Sequence, residues 1–128
     1  MDLQEIYIGM NHWLRDLDFL DTERRFFRKI IKEYVSNSGL ISLAIAEQFD
    51  QRLFQLEIDI HSLRDDIVSC KTRADMVIEK LVTGGSREIM EEYQKLGARY
   101  NELFSAFRKF KQELFDLTSR IIEEETMD

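Results

Sequence analysis

Apolar residues recur at alternating spacings of three and four along almost the whole chain, in three separate segments. Each segment keeps this spacing over about four heptads, which is typical of long α-helices packed as in a coiled coil. Arg24 is the only charged residue at these positions. The positions are Leu3, Ile6, Met10, Trp13, Leu17, Leu20, Arg24, Phe27, Ile31 and Tyr34 in the first segment, Phe49, Leu53, Leu56, Ile60, Leu63, Ile67, Cys70, Ala74, Val77 and Leu81 in the second, and Ile89, Tyr93, Leu96, Tyr100, Leu103, Phe107, Phe110, Leu114, Leu117 and Ile121 in the third.

Two short stretches rich in serine and glycine separate the segments, SNSG at residues 36–39 and TGGS at residues 83–86. Asp2 with Glu5 has the spacing of a capping box, and Ser86 is suited to cap a third helix. Because short connections join antiparallel neighbours, the sequence predicts an all-α fold, a three-helix bundle running up, down and up. The predicted helices span residues 2–36, 40–82 and 87–124 of one domain, 1–128.

The charge balance limits the classes of partner. The chain has 18 basic and 25 acidic residues and a net charge of −7, which disfavours nucleic-acid binding. The longest apolar run, residues 39–46, is too short to cross a bilayer, and the N-terminus lacks the cationic start of a signal peptide. One cysteine, Cys70, allows no internal disulfide. We therefore expect a cytoplasmic protein without a membrane partner.

The chain offers few residues for catalysis, with two histidines and one cysteine. Cys70 occupies a predicted core position, where burial makes a thiol inert. The segment TGGS lacks the lysine and the spacing of a phosphate-binding loop, and no order of residues indicates a catalytic triad. We expect a protein that is not an enzyme and has no cofactor.

A metal site has weak support in the sequence. The Glu-x-x-His motif of di-iron bundles is missing, because Gly9 and Ile58 stand three residues before His12 and His61. Folding the second helix back on the first about residue 38 places His61 level with Asp16, one turn from His12. These three residues are weak metal candidates, and two solvated histidines are the alternative.

Arg24 requires a partner if it lies in the core, since a buried unpaired charge is costly. The predicted turn places Asp50 and Glu57 of the second helix and Glu113 of the third near its height. We expect a partly buried arginine–carboxylate pair that fixes the register of the helices. A ligand-binding arginine is the alternative.

Four large apolar residues lie outside the periodic positions of the first two helices: Phe19, Phe26, Phe54 and Ile58. The folding-back estimate places Phe19 level with Ile58, and Phe26 level with Phe54. One apolar patch of this kind predicts a homodimer or a site for a partner helix. The alternative is a core stripe wider than the periodic positions. Phe104, Phe115 and Ile122 extend the apolar side of the third helix.

The stretch from Trp13 to Phe27 has the pattern W-x5-F-x-D-x-E-x2-FF, and residues 47–67 read EQFDQRLFQLEIDIHSLRDDI. This combination resembles a group of small all-helical bacterial proteins without a known activity. The resemblance covers about half the chain and implies a helical bundle from the bacterial cytoplasm. Spectrin-type repeats share the three-helix layout, as an architectural analogy.

These observations together predict a non-enzymatic protein-interaction or scaffold protein that associates with itself. The alternative is a small-ligand or metal-binding helical bundle of the stress-sensor type, which would use His12, Asp16 and His61.

Overall fold

The computed structural model describes residues 1–126, which form three packed helices without a strand. They are α1 (Leu3–Ile30), continued by a π-helical turn (Ile31–Val35), α2 (Leu43–Ile78) and α3 (Ser86–Thr126). Ion pairs join Asp18 to Arg64 and Arg28 to Asp50, so α2 runs antiparallel to α1. Lys111 pairs with Glu23 and Tyr100 bonds to Asp16, so α3 runs parallel to α1. The predicted all-α three-helix bundle is confirmed.

Side-chain and backbone caps begin the three helices. Asp2 accepts a hydrogen bond from the backbone N–H of Glu5 at 2.8 Å, as the capping-box spacing predicts. Ser42 caps α2 by accepting from the N–H of Ile45. The predicted cap Ser86 is instead the first residue of α3, and the carbonyl of Gly85 accepts the first helical bond.

The π-helical turn changes which residue faces the core at the end of α1. The sequence pattern predicts Tyr34 at a core position, but Tyr34 is 55% exposed and Val35 is fully buried. A π-turn closes its hydrogen bonds five residues apart, as Ser36 N–H does to the carbonyl of Ile31. The extra residue in the turn moves the inward position from 34 to 35.

The connection from α1 to α2 is longer than predicted, because α2 begins at Leu43 rather than at residue 40. Gly39 has φ +72°, a left-handed conformation that favours glycine. Ser38 donates to the carbonyl of Val35 and accepts from the N–H of Leu40, so the chain turns before the helix starts.

The end of α2 lies four residues before the predicted residue 82. The N–H of Leu81 bonds to the carbonyl of Met76 and that of Lys80 to the carbonyl of Val77, as in a Schellman motif. Lys80 takes the left-handed conformation of that motif, with φ 62°. Leu81 therefore lies beyond the helix and is exposed, although the sequence pattern predicts it in the core.

The core runs the length of the bundle and follows the periodic positions closely. Phe27, Phe107 and Phe110 form its aromatic centre. The ring centroid of Phe27 lies 5.6 Å from that of Phe107 and 6.2 Å from that of Phe110. Cys70 is fully buried, and burial, followed by the charge of Glu92, raises the pKa of its thiol. The thiol is therefore a packing group.

Candidate functional site

Ion pairs follow two of the three junctions between helices. At the junction of α1 and α2 and at the junction of α2 and α3, charged side chains reach across on both sides of the core. These junctions therefore present polar, solvated surfaces. The pairs are Asp18–Arg64, Asp21–His61, Arg24–Glu57, Arg28–Glu57 and Arg28–Asp50 between α1 and α2, and Arg52–Glu113, Asp66–Arg99 and Arg73–Glu92 between α2 and α3.

The junction of α1 and α3 has a different character. These two helices approach each other less closely than either approaches α2. Large aromatic side chains lie along the gap between them. Two polar contacts cross it within residues 1–126: Lys111 donates to Glu23 at 2.8 Å, and the hydroxyl of Tyr100 donates to Asp16. Burial, that hydrogen bond and the charge of Asp16 raise the pKa of Tyr100 to about 12.

A stack of rings fills the first half of this gap. Trp13 lies between Tyr93 and Tyr100, with ring centroids 4.6 and 5.5 Å away, and Tyr100 packs on Phe104 at 4.5 Å. Gly97 makes room for the indole, since a Cβ there would lie 3.3 Å from Trp13. The four rings are all partly exposed, so they form a floor open to solvent.

A second group of rings continues the row. The ring centroid of Phe27 lies 5.8 Å from that of Phe115, which it meets edge-on, and 6.4 Å from that of Phe26. The buried ring of Phe27 therefore contacts two exposed rings. The ammonium group of Lys111 lies 5.9 Å from the ring of Phe115 and 6.0 Å from that of Phe27, within cation–π range.

Exposed phenylalanines border this row on both helices. Phe19 and Phe26 of α1 are 63% and 58% exposed, and Phe115 of α3 is 38% exposed. The two contacts across the gap join residues that are 84 and 88 positions apart in the sequence. This offset places Phe19 at the height of Phe104, and Phe26 about one turn from Phe115. We call this surface the aromatic groove, defined by Trp13, Phe19, Phe26, Tyr100, Phe104 and Phe115.

The structure does not join the four predicted patch residues into one surface. Phe54 and Ile58 are exposed on α2, but the ion pairs of the α1–α2 junction lie between them and the α1 phenylalanines. The heights also differ from the prediction, because Asp18 pairs with Arg64, which places Phe19 near residue 63 and not level with Ile58. The prediction of one patch is therefore wrong. Phe19 and Phe26 lie on the outer face of α1, toward the side from which Asp16 and Glu23 contact α3.

Arg24 is the one charged side chain buried among residues 1–126. Its Nε donates to Asp21 Oδ1 at 2.9 Å, and a terminal nitrogen lies 3.3 Å from a carboxylate oxygen of Glu57. The structure thus places one predicted partner, Glu57, beside it. The prediction is wrong for Asp50 and Glu113, the other two carboxylates expected beside Arg24.

Asp50 pairs with Arg28, and Glu113 pairs with Arg52. Asp50 misses Arg24 because the later start of α2 places it one turn beyond, and Glu113 is directed to α2 rather than to α1. Sequence reasoning missed Asp21, although its position three residues before Arg24 on the same helix is a signal for an ion pair.

The predicted metal candidates do not meet. His61 bonds to Asp21 at 3.2 Å, and Asp16 faces α3 and accepts from Tyr100. His12 is exposed and lies more than two turns from Asp21 along α1. No group of three or more histidine, cysteine or acidic side chains within residues 1–126 has the arrangement of a metal site.

Asp21 contacts Arg24, Arg25 and His61, and the lowering of its pKa predicts a pH effect. Burial raises that pKa, but the hydrogen bond and charge of Arg24 and the charges of His61 and Arg25 give a net lowering. The stabilisation is therefore complete above about pH 4 and is lost as the pH falls through the folded-state pKa. We expect Asp21→Asn to be less stable at neutral pH and to lose stability less steeply below about pH 4.

Urea denaturation at a series of pH values measures this effect. The control Asp65→Asn removes an exposed carboxylate of α2. Equal changes in the pH dependence of both variants would contradict the assignment to Asp21.

No helix among residues 1–126 is both long and apolar enough to cross a membrane. Comparison with protein-family models, with curated proteins and with solved structures finds no match to the chain.

Proposed function

We propose that this chain is a non-enzymatic protein-interaction module that binds its partner through the aromatic groove. The observation that carries the proposal is the position of Phe19, Phe26 and Phe115 along one junction, next to partly exposed rings. Monomers rarely keep a contiguous apolar surface without using it, and phenylalanine, tyrosine and tryptophan are enriched in the cores of interfaces.

The other junctions support this choice by contrast. Ion pairs hold α2 to both neighbours, so their surfaces offer charges that already have partners. A protein partner would have to break or solvate those pairs. At the aromatic groove a partner buries apolar side chains without breaking an ion pair of α2. Asp16 and Glu23 can keep their bonds to Tyr100 and Lys111.

Photo-cross-linking tests the proposal and compares two phenylalanines of equal exposure. Benzoylphenylalanine replaces Phe26 of the groove or Phe54 of α2, which are 58% and 57% exposed. The full-length chain is irradiated in the cells that produce it. We expect discrete adducts from position 26 and about tenfold fewer from position 54, as for an interface core against a free surface.

The masses of the adducts separate two kinds of partner. An adduct of twice the chain mass indicates self-association, and any other discrete mass indicates a different protein. Either result at position 26 supports an interaction surface. Equal adducts from both positions, or no adduct from position 26 at intact fold by circular dichroism, would exclude the groove as the interface.

A further inference from the structure

Exposed cations that make no ion pair in the described part of the chain flank the aromatic groove on both helices. On α1, residues seven apart follow the rim, one helical step outside the phenylalanines. On α3, a second exposed series lies outside Phe104 and Phe115. The rim residues are Arg15, Thr22 and Lys29 on α1, and Asn101, Arg108 and Gln112 on α3, and all six are exposed.

None of these rim cations has an ion-pair partner within residues 1–126. The carboxylates of Asp16 and Glu23 lie deeper, where Tyr100 and Lys111 bind them. Asp16 keeps its negative charge, because Tyr100 is a neutral donor, and the exposed Glu33 lies four residues after Lys29. Among the residues that the structure describes, the exposed cations Arg15 and Arg108 are therefore the unpaired charges closest to the exposed phenylalanines, and they are the second observation, independent of the apolar floor.

We propose that the aromatic groove receives an amphipathic α-helix of another protein whose flanks are acidic. The inference rests on the proposed function and names the partner of the same surface. Phe19 and Phe26 are one heptad apart, so two turns of a helix laid along the groove place apolar residues at i, i+3, i+4 and i+7 against them. Carboxylates beside those residues face Arg15, Lys29 and Arg108.

The parallel course of α1 and α3 provides two neighbours along which one partner helix can lie. α1 and α3 run parallel and stand apart, with half-buried rings as the floor between them. A helix in such a groove becomes the fourth member of a bundle and packs against both neighbours at once.

Charge separates this occupant from a second copy, and shape separates it from a lipid surface. A two-fold dimer through this face presents the same rims to each other, so cations oppose cations at the interface. A lipid surface can reach the exposed phenylalanines but not the half-buried rings of Trp13, Tyr100 and Phe104, whereas the side chains of a helix can contact both.

Two synthetic peptides of about 20 residues, long enough to form helix, test the proposal. Both carry leucine at heptad positions a and d. One has glutamate at the flanking positions and the other has lysine. Fluorescence of Trp13, the single tryptophan, and isothermal titration report binding to the full-length chain.

We expect the glutamate peptide to bind at least about tenfold more tightly than the lysine peptide at low salt, with a preference that weakens as salt is added. Phe26→Ser should weaken binding by about tenfold or more, and the matched control Phe54→Ser by less than about twofold. The double variant Arg15→Gln with Arg108→Gln should remove most of the preference for glutamate.

Three outcomes would overturn the inference. In the first, the lysine peptide binds as well as the glutamate peptide. In the second, neither peptide binds and position 26 cross-links to a second copy of the chain. In the third, vesicles with one-third anionic lipid bind through Phe26 and the peptides do not. If position 26 cross-links to another protein but the peptides do not bind, the inference fails and the proposed function stands. Absence of cross-linking at position 26 is the failure of the proposed function itself.

Discussion

Replacing Phe27 with alanine is expected to lower the free energy of unfolding by about 3–5 kcal/mol, whereas the same change at Phe26 costs less than about 1 kcal/mol. Phe27 is 1% exposed and contacts the rings of Phe107, Phe110 and Phe115. Its removal leaves a cavity between α1 and α3 that the rigid ring cluster fills poorly. Phe26 is the neighbouring residue and points its ring largely into solvent.

Urea denaturation of both variants, followed by circular dichroism, measures the difference. The pair is closely matched, because the two positions share residue type, helix and local sequence. Similar losses at both positions would show that the face of α1 assigned to the core is wrong. Phe26→Ala should instead change binding at the aromatic groove while it leaves the stability nearly intact.

The core residues could be predicted from the sequence because the spacing that marks them is a property of each helix by itself. An apolar residue every three or four positions defines one face of a helix regardless of what packs against it. The prediction fails at Tyr34 and at Leu81, where the helix changes its pitch or ends. A π-turn depends on packing around Val35, and the end of α2 depends on a left-handed Lys80, for which the sequence pattern has no clear signal.

The location of the exposed surface was harder to predict because it depends on register between helices. The sequence predicts that the chain turns back about residue 38, but the turn extends to Ser42. That shift moves His61 from Asp16 to Asp21 and moves Ile58 away from the height of Phe19. Phe54 stays near the height of Phe26, but the ion pairs of the α1–α2 junction lie between them. The relation of α1 to α3 depends on two turns and one intervening helix, so its error is larger still. The sequence shows that Phe104 and Phe115 extend the apolar side of α3, but it does not give the register that relates them to Phe19 and Phe26.

We expect the buried charge of Arg24 to fix the register between α1 and α2. A leucine at that position would pack equally well one heptad earlier or later, whereas an arginine needs carboxylates at one height. Asp21 belongs to the same helix as Arg24, so we expect Glu57 to be the partner that specifies how α2 lies against α1. Arg28 and Arg25 surround the cluster and share its carboxylates.

Arg24→Ala is accordingly expected to lower the free energy of unfolding by about 2–3 kcal/mol, below the usual loss for a broken buried pair because Asp21 and Glu57 are partly exposed. Arg24→Met keeps most of the aliphatic packing and should cost less than Arg24→Ala. The control Arg28→Ala removes a partly exposed arginine that also contacts Glu57, and it should cost less than about 1 kcal/mol. A double-mutant cycle of Arg24→Ala with Glu57→Gln isolates the contact between the helices, with an expected coupling of about 1 kcal/mol or more. If Arg24→Ala costs no more than Arg28→Ala, or the cycle shows no coupling, Arg24 packs at the core without fixing the register.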